Sequence, residues 1–169
     1  WQDMLLMALA TIGVTIPSFV IASLLIYVFS YMLNWLPTFG LDSWQGYILP
    51  VIALGGYSVS YIARLMRSSL LEVMGQDYIR TARAKGLTEF AVVAKHALRN
   101  ALIPVVTVLG PTIAGLLTGS FVIERIFAIP GLGFYFVNSV SQRDYTTIMG
   151  MTIFYAAFLM SMVLLVDIF

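Results

Sequence analysis

The stretch DYIRTARAKGLTEFAVVAKHALRNALIP, from Asp77 to Pro104, contains Arg80, Arg83, Lys85, Lys95 and Arg99. With Arg64 and Arg67 just upstream, seven of the nine basic residues fall within 36 positions, in a chain that is 60% hydrophobic and only 10% charged. Ionic chemistry is therefore concentrated in one place, and the residue types there suit recognition better than bond-breaking. Cysteine is absent, which removes disulfides, thiolate nucleophiles and thiolate metal sites. The one histidine, His96, lies inside the basic stretch, and it is read as a helix-end residue because a metal centre needs several ligands. No GxxxxGK[ST] run occurs, so ATP phosphates have no phosphate loop in this chain.

Local signals divide the stretch into two short helices joined by a glycine. Residues 69–85 have helical spacing of apolar positions and an Asp77/Arg80 pair at i,i+3. Gly86 is a stop, free to take the left-handed conformation. Thr88 offers a side-chain cap and Glu89 sits in the first turn of the second helix, with Lys95, His96 and Arg99 gathered in its last turn. Phe90, Val93 and Ala97 are expected to share one face. The result is a protrusion with an apolar knob and a basic rim, shaped to enter a groove on another protein. Three plainer readings compete: a topology signal, a patch for anionic lipid, or a solvated linker. A topology signal needs no glycine joint, and a lipid patch needs no phenylalanine framed by small residues.

The elements that must carry this protrusion are membrane helices. Mean hydropathy is +0.95, above that of soluble domains. No Asp, Glu, Lys or Arg occurs between Asp3 and Asp42, Asp42 and Arg64, Arg99 and Glu124, or Asp144 and Asp167, leaving gaps of 38, 21, 24 and 22 residues. A spanning helix needs about 20. Four spans are expected near 8–33, 46–66, 100–122 and 146–168. Segment 67–99 between them is basic and is expected to be cytoplasmic, because Lys and Arg bias loops to that side. Loops 34–45 and 123–145 then face outward, both ends lie on the cytoplasmic side, and a short interfacial helix is expected over about 133–141. The spans are not plain anchors. Pro17 breaks the first, Gly55 and Gly56 lie in the second, and Pro104, Gly110 and Pro111 interrupt the third; such breaks survive only where protein or water re-satisfies the backbone. Gly115 and Gly119 form a GxxxG spacing that admits a close helix, though chance produces the same spacing. No acid or base lies mid-span, which argues against a proton relay, an ion-coupled pump or an intramembrane protease. The chain begins WQDM and stops directly after an apolar run, so it reads as a segment of a longer protein.

The basic stretch resembles the cytoplasmic EAA loop of ABC-importer permeases, with general pattern E-A-A-x3-G-x9-I-x-L-P. Aligned on Gly86, the chain keeps Ala82, Gly86 and Leu98, and has Arg80, Thr81, His96 and Arg99 in place of Glu, Ala, Ile and Pro. The form DYIRTARAKG followed by HALRNALIPVV is similar to the peptide and nickel branch, closest to the oligopeptide permease B subunits. IPSF (16–19), LPTFG (36–40), YILPVIALG (47–55), GSFVIERIFAIPGLG (119–133) and RDY (143–145) extend the resemblance over essentially the whole chain. It implies an all-α integral membrane protein with the type I importer bundle, here four spans that are the last four of six. It implies that residues 67–99 are a coupling loop whose ATPase-contacting residues include Asp77, Arg80, Thr81, Ala82, Gly86, Thr88, Glu89, Phe90, Val93, Leu98 and Arg99. It further implies uptake of oligopeptides, or of dipeptide, glutathione or nickel, by alternating access in a bacterial or archaeal cell membrane. The implied partners are a second permease subunit, two ATP-binding subunits that hold ATP and magnesium, an extracytoplasmic peptide-binding protein, the peptide and the bilayer. No nucleic acid, no cofactor and no enzymatic activity belong to the chain itself under this reading; an ATP-independent channel or transporter is the rival.

Overall fold

Long apolar stretches that must satisfy every backbone group internally become helices, and the computed structural model is helical wherever its described residues, 1–117 and 120–168, are regular. In chain order the helices are α1 (Gln2–Thr15), α2 (Ser18–Leu25), α3 (Ile48–Met74), α4 (Asp77–Ala84), α5 (Glu89–Ala91), α6 (Leu98–Leu117), α7 (Phe121–Ile126), α8 (Leu132–Gln142) and α9 (Tyr145–Ile168). A π-helical turn over Ile26–Met32 extends α2, another over Val92–Ala97 joins α5 to α6, and a 3₁₀ turn over Trp44–Tyr47 leads into α3. Among the described residues three helical runs are long and apolar enough to cross a bilayer: α3 with its leading turn, the run that begins at Glu89 and contains α6, and α9. The pair α1 and α2 makes a fourth if counted as one bent span.

The break expected at Pro17 is present: Ile16 and Pro17 are extended, and the helices on either side are bent by 103°. Pro17 has no N–H to give to the turn before it, and Ile16, preceding a proline, is driven out of the helical region. Three local expectations are revised. The helix expected over 69–85 is in two pieces, because α3 continues to Met74 and the chain breaks at Gly75 and at Gln76, which is extended (ψ 152°), before α4. The second loop helix does not end at Arg99; it runs through the π turn into α6 without a break. Finally, Pro104 and Pro111 lie inside α6 and do not interrupt it. Proline's fixed φ is itself helical, so the helix can continue, although each ring removes one backbone donor and crowds the carbonyl four residues earlier.

α3 is the centre of the bundle, packing against α1, α2, α6 and α7, while α6 also packs on α9. Ala22, Leu49, Ala53, Ile123 and Phe127 form a small core where α2, α3 and α7 meet. Small residues allow the helices to approach. A Cβ on Gly13 would run into Ser60 of α3, and one on Gly110 would lie 3.0 Å from the Met162 carbonyl of α9. Among the described residues none of α9 is fully buried, so most of its surface faces outward from this chain.

Candidate functional site: the basic loop

Met74 ends α3, and the following residues fold back on it as a compact unit with its own apolar core. Ile79, Val92 and Ala97 are fully buried and Ala82 nearly so, with Leu70, Val73 and Met74 packed round them. The loop is thus built on the last turns of α3 and on the first turns of the run that becomes α6. Movement of the loop has stiff helix to act through on both sides.

Gly86 makes the joint. Its φ is +76°, which L side chains rarely adopt, and the turn it forms connects α4 to the Thr88 cap. The Thr88 hydroxyl accepts the Ala91 N–H at 3.4 Å. Across this joint Arg83 donates through Nε to Glu89 Oε1 at 2.7 Å and through Nη2 to Oε2 at 3.3 Å. This forked pairing holds the two loop helices at a fixed angle. Its guanidinium holds the Glu89 carboxyl below its ordinary range, and the Arg83 pKa is raised in return. Asp77 accepts from Arg80 at 3.4 Å, and its carbonyl accepts the Thr81 hydroxyl at 3.1 Å. Tyr78 is tied to the start of α6 by the Asn100 amide, which donates to its oxygen at 2.7 Å.

With its base fixed, the loop presents Phe90 to the outside at 84% exposure, with Leu87 also exposed beside the joint. An aromatic ring held out from a braced turn is suited to insertion in a partner's groove. Of the residues singled out from sequence, Asp77, Arg80, Thr81, Gly86, Thr88, Glu89 and Phe90 lie on the exposed surface of this unit, and Val93 is half-buried. Ala82 is inside it, as packing rather than as contact surface. Leu98 and Arg99 stand beyond the π turn at the start of α6, where Arg99 lines a recess of about 350 Å³ with Thr107 and Asp167. The expectation that Ala97 shares the face of Phe90 is corrected: Ala97 is turned inward against α4. An α-helix returns to the same face after seven residues, but the wider π turn adds residues per turn and carries Ala97 round.

Of the glycine pair, Gly119 lies outside the described residues, and Gly115 borders a cavity, where among the described residues a Cβ would meet nothing within 4 Å. Two pairings were not evident from sequence. Arg83 and Glu89 are six apart across a turn, a spacing with no helical signal. Glu124 is buried at 8% exposure and accepts the Phe134 N–H of α8 at 2.7 Å. A Cβ on Gly131 would meet that carboxylate at 2.5 Å, so the PGLG turn is shaped round the acid. An acid inside the apolar run SFVIERIF was the signal available.

A chain of membrane-length helices with a braced basic loop between two of them has the architecture of a multi-span membrane subunit. The family model for binding-protein-dependent transport system inner membrane components matches residues 1–169, and the chain belongs to this family. It is 54% identical over 165 residues to the dipeptide transport system permease protein DppB of Bacillus subtilis, covering 98% of this chain and 54% of that protein. It is 48% identical over 168 residues to the glutathione transport system permease protein GsiC of Salmonella typhimurium, covering 99% and 55%. With GsiC of Escherichia coli K12 the identity is 52% over 148 residues, 88% of this chain and 48% of that protein. The chain therefore spans about half the length of the curated relatives it matches.

Proposed function

We propose that this chain forms the transport core of a permease subunit in an ATP-driven importer of small peptides. The observation that carries this is the basic loop: a unit with its own core, locked by Arg83 and Glu89, that offers Phe90 to a partner and continues directly into α6. A separate ATP-binding subunit would receive Phe90 and Leu87 in a groove, and its closure would pull on α3 and α6 together. Alternating access of a path between this subunit and a second permease follows from that motion. ATP and magnesium stay on the partner, and the extracytoplasmic binding protein meets the loops at 34–45 and 123–145. On this reading the basic loop is cytoplasmic and Asp77, Arg80, Thr81, Thr88, Glu89, Phe90 and Val93 make or frame the contact, with Leu98 and Arg99 at its margin.

Peptides are the proposed cargo because the relatives' names specify dipeptide and glutathione, the latter itself a γ-linked tripeptide. The test is reconstitution of the full-length protein with the permease, ATP-binding and binding-protein chains encoded beside it. ATP-dependent accumulation of labelled dipeptide or glutathione in proteoliposomes is expected. Uptake that persists without any ATP-binding subunit would instead establish the channel or secondary-transporter reading.

A further inference from the structure

The break at Ile16 and Pro17 opens a cavity of about 500 Å³ between α1, α2, α3 and α6. Ser58, on its wall, is ten residues along α3 from Ile48, about 15 Å by helical rise. That is roughly half the thickness of a ~30 Å hydrocarbon core. Unwound backbone at such depth persists only where it is buried in protein or faces water. Here it borders an open recess, and the carbonyls of Val14, Thr15 and Ile16 accept no backbone hydrogen bond among the described residues. Backbone groups left open in this way can be met by water or by a polar ligand in the recess.

Its lining specifies what it can hold. Among the described residues five hydroxyl side chains border it, from Thr15, Ser18, Tyr57, Ser58 and Thr112, and no charged residue does. These hydroxyls are of two kinds. Thr15 and Thr112 donate their protons to backbone carbonyls, at 3.0 Å to Thr11 and 2.6 Å to Val108, and so present lone pairs to the cavity. Ser18, Tyr57 and Ser58 donate to no group among the described residues and keep their protons for a ligand. Acceptors and donors set side by side, without charge, match the N–H and C=O of a peptide bond and favour no particular side chain.

We infer that this recess is a peptide-backbone subsite on the transport path, in which Thr15 and Thr112 accept peptide N–H groups and Ser18, Tyr57 and Ser58 donate to peptide carbonyls. Its volume is within the range of small-ligand pockets, which run to several hundred Å³, and it takes a segment of about two residues. The inference rests on the peptide-import reading and gives it a place in the chain.

No cysteine occurs in these 169 residues, and any elsewhere in the transporter is replaced first. In the full-length assembled transporter, the single variant Ser58→Cys is modified with a small thiol reagent, with and without alanyl-alanine or glutathione under ATP turnover. Peptide should slow modification at least threefold at Ser58→Cys and leave Gln142→Cys, on the exposed end of α8, unchanged. Thr112→Val, which keeps the volume and removes the acceptor, should lower peptide uptake about tenfold, as loss of one buried hydrogen bond does, and Thr112→Ser should restore it. If the parent takes up peptide but Ser58→Cys reacts equally fast with and without it, the subsite is refuted and the importer reading stands. If the parent takes up no peptide, the importer reading fails and the subsite falls with it.

Discussion

Phe90 is exposed on a loop whose own core is complete without it, which separates its role in docking from any role in folding. Phe90→Ala should leave the melting temperature of the isolated permease unchanged and loosen the ATP-binding subunit, by about 2 kcal/mol if the ring is a buried anchor in the complex. Lys95→Ala on the rim should act mainly on association rate and salt sensitivity. Retention of the ATPase on detergent-solubilised permease across a salt series is the measurement; equal retention by Phe90→Ala and parent would mean that charge alone holds the loop. Glu89 adds a pH dependence with a defined sign. Its folded pKa is lowered by Arg83, so its contribution to loop stability is present above the ordinary carboxylate range and is lost as pH falls through the lowered folded value. The melting-temperature difference between parent and Glu89→Gln should accordingly be present at neutral pH and vanish under acid conditions.

Two turns between helices fix the geometry of the elements, by different physics. At Gly86 the constraint is backbone conformation: φ is +76°, while the space around a Cβ is open. Gly86→Ala should therefore cost about 1–2 kcal/mol of loop stability, and Gly86→Val more, because β-branching is hardest to place in the left-handed region. Insertion should survive, with assembly and ATP-driven uptake reduced. Gly86→Asn, which tolerates that region, should be the mildest of the three. At Gly131 the constraint is space: φ is −95°, and a side chain there would collide with the buried Glu124 carboxylate. Gly131→Ala should thus loosen the hairpin of α7 and α8 by about 1–3 kcal/mol through a disturbed buried hydrogen bond. Faster hydrogen exchange confined to residues 121–142 would show it, and exchange that spreads to α4 and α5 would contradict so local an effect.

For the whole molecule, the arrangement of charge predicts which side of the membrane each loop occupies. Thr88 is at the tip of the basic loop, while Ser43 and Gln142 lie on the two weakly charged connections, and all three are exposed. In intact cells, an impermeant thiol reagent should label Ser43→Cys and Gln142→Cys from outside and Thr88→Cys only after permeabilisation. Labelling of Thr88→Cys in intact cells would reverse the topology and remove the loop from the compartment where ATP is hydrolysed.

Much of this was legible in the residues themselves. Runs of 21 to 38 uncharged residues dictate membrane helices, because a charge is costly in hydrocarbon whatever the tertiary arrangement. Gly86, the Thr88 cap and the Asp77/Arg80 pair are local devices acting within a few residues, and the structure has each where the sequence put it. What the sequence did not determine depends on partners distant along the chain or on geometry that accumulates along a helix. Pro17 bends its span by 103° whereas Pro104 and Pro111 leave α6 continuous, and proline's local chemistry is the same at all three. The π turn at Val92–Ala97 alters which side chains share a face, and no composition rule announces it. Arg83 finds Glu89 across a turn, Glu124 is enclosed by a glycine turn seven residues on, and five hydroxyls from α1, α2, α3 and α6 face one cavity. Sequence sets local propensity and burial preference; which groups finally meet is decided when the helices pack.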